Sequence, residues 1–265
     1  MNERDEHTVL DRALAARMRK SLTASSEELY QLIQDSSREV LLNALKNPNL
    51  AEDHLLTLLK RRDLWEDVPR AIYDSSRIER SHRLQLALAK NPATPTSLCL
   101  TILQHLYLFE LVDLLCLPGI IPDRKLAVER EITRRLPGVP LGNLITLARR
   151  ATHPILSEIL RLGRPDAVAA CLSNPRMKEV GILQFLSSAS ATPDTISLIG
   201  RHSRWGSRPR LQMAILKHPR TPGIWYTLWL PRLKTPLLKE LKLSSRLSAG
   251  NRALLEREIK KRQRL

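Results

Sequence analysis

Cysteine, glycine and aromatic residues are all scarce in this chain of 265 residues, which has three Cys, nine Gly, four Trp, four Tyr and two Phe. Cys99, Cys116 and Cys171 are odd in number and include no C-x-x-C pair, which excludes a disulfide framework and a thiol zinc site and fits a reducing compartment. The scattered glycines form neither G-x-x-x-x-G-K-[ST] nor G-x-G-x-x-G, so the usual phosphate cradles are missing. There is no G-x-S-x-G, and Cys171 stands between Ala170 and Leu172, an apolar setting that marks core rather than nucleophile. The seven histidines form no H-E-x-x-H, no pair at helical spacing and no neighbour to cysteine, so neither a metal nor another cofactor is expected. Long apolar runs are missing too. The most apolar region, Leu98 to Ile121, is broken by Gln104, His105, Glu110 and Asp113, and Met1 to Glu6 is charged rather than apolar. These features predict a cytoplasmic protein with no integral membrane association.

Leucine is abundant, at 51 residues, and a leucine-rich, aromatic-poor chain favours helices over strands. The net charge is +16, but it is unevenly spread. Residues 1–132 hold 18 basic and 20 acidic residues, whereas 133–265 hold 25 basic and 7 acidic. Such asymmetry points to an anionic partner for one end of the chain.

Internal repeats are visible. Arg83 to Pro95 aligns without gaps on Arg210 to Pro222, with 8 of 13 positions identical. The proline of that segment recurs as Pro48, Pro92, Pro137, Pro175 and Pro219, at intervals of 44, 45, 38 and 44. A second column, Pro154, Pro193 and Pro236, trails Pro137, Pro175 and Pro219 at a nearly constant offset. Proline lacks a backbone donor and suits the first turn of a helix, and Thr94, Thr192, Thr221 and Thr235, each preceding a proline, are candidate N-caps. Ser25-x-x-Glu28 and Ser36-x-x-Glu39 have the form of capping boxes. The pattern predicts an all-α, right-handed α-solenoid of about five three-helix repeats, because an amphipathic unit buries its apolar face only by stacking on neighbours. The expected limits are an N-terminal helical cap or arm over 1–24, one solenoid domain over 25–262 and a basic tail over 263–265.

This arrangement resembles the armadillo and HEAT class of solenoids. The Asn91-Pro-Ala-Thr-Pro95 segment also resembles the variant leucine-rich repeat of a bacterial family of helical-repeat proteins. The resemblance implies a fold and a habit of binding partners on an extended surface, and implies no reaction. Alkylpurine DNA glycosylases of the HEAT-like family are similar in architecture and place an Asp and tryptophans in a basic groove; the residue types available here are Asp113, Trp205, Trp225 and Trp229.

Two sets of residues are candidates for contact with a polyanion. Two positions before the ruler proline stand Lys46, Lys90, Arg135, Ser173 and Lys217, four of them basic. Stacking would align them into a ladder, although a cation there also complements the helix dipole without any ligand. The second set is Arg201, Arg204, Arg208 and Arg210 around Trp205, with Arg220 beyond, and Arg forks onto phosphate and stacks on bases. The run Lys260 to Arg264 adds four cations. The expected function is a non-catalytic binding protein whose basic C-terminal surface engages nucleic acid or another polyanion. The alternatives are a protein-interaction scaffold for an acidic partner or peptide, and base excision.

Overall fold

The structure, a computed structural model, describes residues 3–75 and 81–263, with side chains from residue 12 onward. Residues 1 and 2 of the expected arm and 264 and 265 of the expected tail lie outside the described residues. Every regular element among the described residues is helical. Contacts divide the chain into two compact units, Met1–Glu131 and Ile132–Leu265. The charge asymmetry falls on the same division, since Ile132 is uncharged.

The amino-terminal unit contains α1 (Glu3–Thr23), α2 (Ser26–Leu32), α3 (Arg38–Ala44), α4 (Glu52–Leu58), α5 (Asp67–Tyr73), α6 (His82–Lys90), α7 (Thr96–Leu103), α8 (Leu108–Leu115) and most of α9 (Pro122–Arg135). The carboxy-terminal unit contains α10 (Leu141–Arg150), α11 (His153–Arg161), α12 (Pro165–Ser173), α13 (Glu179–Leu186), α14 (Pro193–Arg201), α15 (Pro209–Lys217), α16 (Gly223–Trp229), α17 (Thr235–Lys242) and α18 (Ala249–Gln263). Local chemistry sets many of these ends. Ser25 and Glu28 form the expected capping box of α2, and Pro154, Pro193 and Pro236 sit in the first turns of α11, α14 and α17. The second box does not form, because α3 is entered one residue later, from Ser37.

The threonines divide. Thr192 caps α14 as expected, but Thr94 and Thr221 act backwards: their hydroxyls donate to the carbonyls of Leu88 (2.7 Å) and Ile215 (2.5 Å) near the ends of α6 and α15. Thr235 is the first residue of α17, which is entered from Lys234. The Thr-Pro pair therefore closes one helix more often than it opens the next, satisfying carbonyls left over at the helix end.

Within each unit, a helix packs on the next but one. In the amino-terminal unit α1, α3 and α5 form one layer and α4, α6 and α8 another. In the carboxy-terminal unit α10, α12 and α14 form one layer and α11, α13, α15 and α17 the other, with α16 on α18. Leucine and isoleucine fill the space between layers. Leu41, Leu58, Leu88 and Leu111 are fully enclosed in the first unit, and Leu147, Ile159, Ile196 and Ile215 in the second. Each such side chain contributes about 1.5–3 kcal/mol of burial. Cys99 and Cys171 belong to this core, and burial pushes the Cys171 thiol up to about 12.

The packing and the proline ruler run at different steps. One interval of the proline ruler spans three successive helices, as from the end of α3 to the end of α6, whereas the packing counts two. Positions three helices apart then fall in alternate layers. Lys46 follows α3 and Lys90 ends α6, in different layers, and Ser173 and Lys217 are separated in the same way on α12 and α15. Among the described residues, no cationic ladder forms in either unit.

What repeats at the two-helix step is a set of ties from side chain to backbone. Asn47 donates to the carbonyls of Ser21 (2.8 Å) and Ala24 (3.1 Å), Asn91 to Leu59 (2.9 Å) and Arg61 (2.7 Å), Asn174 to Ala148 (2.7 Å) and Asn251 to Thr221 (2.9 Å). The amide oxygens of Asn47, Asn91 and Asn174 accept the backbone N–H two residues ahead. One buried side chain thus fixes its own turn and the turn below. Asn91→Ala strands one buried carbonyl, one half-buried carbonyl and an N–H, and is expected to cost roughly 2–4 kcal/mol. The check is the urea midpoint of the full chain, and an unchanged midpoint would remove this role from the Asn ties.

Candidate functional site

The turn between α14 and α15 is braced by both side chains and backbone. Trp205 is buried at 1% exposure, and its indole N–H donates to the carbonyl of Leu172 at 2.8 Å. Arg204 lies over the indole at 4.3 Å from the ring centroid and reaches the carbonyls of Asn174, Pro175 and Met177 at 3.4–3.5 Å. Arg208 lies 5.0 Å from the same centroid and pairs with Glu179 at 2.7 Å. The backbone is equally tight: Gly206 donates to the carbonyl of His202, and a Cβ on Gly206 would collide with the carbonyl oxygen of Gly200. Only glycine allows this approach.

The braced turn forms one wall of a groove of about 420 Å³, which also takes in Gln212 of α15 and the end of α16. Arg201, in the last turn of α14, and Arg232, in the short 3-10 turn Leu230–Arg232, both line it. Both are exposed, and among the described residues neither meets a carboxylate. Ser203 and Ser207 add hydroxyls, and the edge of Trp229 adds an apolar strip. Two guanidiniums without carboxylates among the described residues, with hydroxyl donors in the same groove, suit the oxygens of a phosphate or carboxylate.

The ten expected contact residues therefore separate. Arg201 lines the groove. Arg210 is exposed on the first turn of α15 but is not part of the groove wall. Arg204 and Arg208 are occupied as described, Lys217 pairs with Glu240 at 2.5 Å, and Arg220 donates to the carbonyls of Ala189 (3.0 Å) and Ala191 (3.3 Å). Trp205 presents no face for stacking on a base, since both ring and N–H are used internally. Arg135 is half-buried at the end of α9, and Lys46 and Lys90 are exposed at the ends of helices in different layers. Trp225 and Trp229 are also buried, with ring centroids 4.7 Å apart, and Asp113 is an exposed residue of α8.

Arg232, Ser203, Ser207 and Gln212 escaped the sequence reading. The signal for Arg232 lies in the spacing: it stands as far beyond Arg201 as Arg220 stands beyond Ala189, whose carbonyl Arg220 ties. At the period of the proline ruler the two arginines are unrelated; at the two-helix step they are neighbours.

Three histidines of this unit are held below the usual imidazole value of 6.5. Burial is the main cause for each, aided by Lys178 for His153, Arg204 for His202, and Arg220 and Arg246 for His218. His202 and His218 take the place of the repeat asparagine, with Nδ1 accepting the backbone N–H of Arg204 (3.2 Å) and Arg220 (3.1 Å), and protonation removes that acceptor. With the folded value below the unfolded one, the native chain binds fewer protons on acidification. The stabilisation is complete above pH about 6.5 and is lost as pH falls toward the folded values. The urea midpoint is expected to drop between pH 7 and 5, and to drop less in His202→Asn/His218→Asn, where the acceptor cannot titrate. Equal drops in the two proteins would contradict this origin.

Among the described residues no helix is long and apolar enough to cross a membrane. The chain matches no family model, no curated protein and no solved structure.

Proposed function

We propose that each unit is a run of right-handed α-solenoid, akin to the armadillo and HEAT class, and that the carboxy-terminal unit binds nucleic acid or a comparable polyanion without catalysis. The observation that carries the reading is the meeting of Arg201 and Arg232, both lacking a carboxylate among the described residues, in one groove of a unit with 25 basic and 7 acidic residues. An excess of this size raises the local concentration of a polyanion, and the two groove arginines then hold its phosphates. The braced turn supports the same reading, because it holds the backbone that carries Ser203 and Ser207 before a ligand arrives, which lowers the ordering cost of binding.

The test is a fluorescence-anisotropy titration of the full chain with labelled single-stranded DNA, duplex DNA and single-stranded RNA, each at two salt concentrations, beside an acidic protein of similar net charge. The reading expects saturable nucleic-acid binding that weakens steeply with salt. Binding of the acidic protein alone, with modest salt response, would favour the scaffold alternative. Release of a base from an alkylated duplex would favour base excision.

A further inference from the structure

The amino-terminal unit contains an open groove of about 690 Å³ between α4 and α6, neighbours in one layer. Arg83, in the first turn of α6, stands 3.6 Å from Glu52 and 3.9 Å from Asp53 in the first turn of α4. The two helices therefore start at one end of the groove and finish at the other. Half-buried Leu56, Leu86 and Leu117 line it, together with Tyr30, an exposed ring whose centroid lies 4.2 Å from that of His54.

The ends of the groove differ in charge. At the starting end Asp53, which supplies the one carboxylate of the wall among the described residues, faces Arg83. At the finishing end Lys60, Arg62 and Lys90 line the groove, all exposed and without an ion pair among the described residues. Arg61 is there too, but it is used internally, donating to the carbonyls of Ile33 and Asp35 and pairing with Asp63. A lysine at a helix end complements the helix dipole; Arg62 lies beyond the end of α4, where that account fails. Nor is the cluster a share of a general excess, because residues 1–132 hold 18 basic and 20 acidic residues.

We infer that this groove binds a short acidic segment of another protein, with its carboxylates at Lys60, Arg62 and Lys90 and an apolar side chain among Leu56, Leu86 and Tyr30. Charge complementarity selects the acidic residues, and the apolar wall selects the neighbour. A nearly neutral unit lacks the field that gathers a nucleic acid, and a leucine-lined wall offers nothing to its phosphates. From Asp53 to Lys60 the helix rises about 10 Å, so an extended segment places its acidic and apolar residues about three positions apart. The site is independent of the polyanion groove, which belongs to the other unit.

The test begins with selection of a random phage-displayed peptide library on the immobilised full chain. Enriched peptides should combine clustered Asp or Glu with a Leu, Ile or Phe about three positions away. A labelled copy of the most enriched peptide is then titrated by fluorescence anisotropy. Lys60→Gln/Arg62→Gln/Lys90→Gln should weaken it at least about tenfold, and Tyr30→Ser about threefold. All four positions are exposed, and circular dichroism confirms that each variant keeps the native unfolding midpoint. Arg201→Glu/Arg232→Glu should bind the peptide as the native chain does, which separates this site from the polyanion groove. No enrichment, enrichment of acidic residues without an apolar one, or a peptide whose affinity survives the groove substitutions would each overturn the assignment. Displacement of the peptide from Arg201→Glu/Arg232→Glu by duplex DNA would assign the groove to nucleic acid instead.

Discussion

Replacing Trp205 by Ala is expected to destabilise the carboxy-terminal unit by about 3–5 kcal/mol, the range for removing a large buried aromatic. The ring is enclosed at 1% exposure, its N–H satisfies the carbonyl of Leu172, and two guanidiniums rest on its faces. Loss of the ring leaves a void, an unpaired carbonyl, and Arg204 and Arg208 without their platform. Trp205→Phe keeps most of the volume and loses the donor, so its smaller cost, on the order of 1–3 kcal/mol, isolates the hydrogen bond. Urea unfolding followed by circular dichroism reads both variants. If instead Trp205→Ala unfolds at the native midpoint and loses nucleic-acid binding, the indole is a stacking platform and the internal assignment is wrong.

Reversing Arg201 and Arg232 together should have the opposite signature. Both are exposed and lack a carboxylate partner among the described residues, so Arg201→Glu/Arg232→Glu is expected to unfold within about 0.5 kcal/mol of the native chain, as surface substitutions generally do. Its nucleic-acid affinity at low salt should nonetheless fall about 100-fold, because two charge-assisted contacts become two repulsions. Arg220→Ala is the matched contrast. It strands the carbonyls of Ala189 and Ala191 and should cost stability, with little effect on binding beyond one unit of charge. Equal losses of binding in the two variants would mean that net charge alone, and no particular groove, attracts the ligand.

The helical class and many helix ends could be read from the sequence because local chemistry fixes them. Ser25 with Glu28, prolines in first turns, and leucines at helical spacing act over short stretches of chain. The stacking step could not be read in the same way. Sequence similarity marks every third helix, whereas packing joins every second, and which helices touch is decided by side chains far apart in the chain. The binding residues suffered from the same gap. Arg204 and Arg220 look like ligand contacts in a basic stretch, yet each reaches back to carbonyls left unsatisfied at the end of a distant helix, Asn174 and Pro175 for one and Ala189 and Ala191 for the other. A guanidinium satisfies two or three of them at once. Arg232 attracts no notice in the sequence until that step is known. Trp205 misled for a related reason: it stands among arginines yet forms core, as Trp225 and Trp229 do at helical spacing, and among the described residues the exposed large aromatics are Tyr30, Trp65 and Tyr107 of the other unit.

The most direct measurement is the salt dependence of duplex-DNA binding by the native chain and by Arg201→Glu/Arg232→Glu, plotted as log affinity against log salt. Each phosphate contact contributes a slope of about −0.9, so loss of two should flatten the line by about 1.8 while the unfolding midpoint stays in place. An unchanged slope, or no measurable binding by the native chain at low salt, would contradict the central claim.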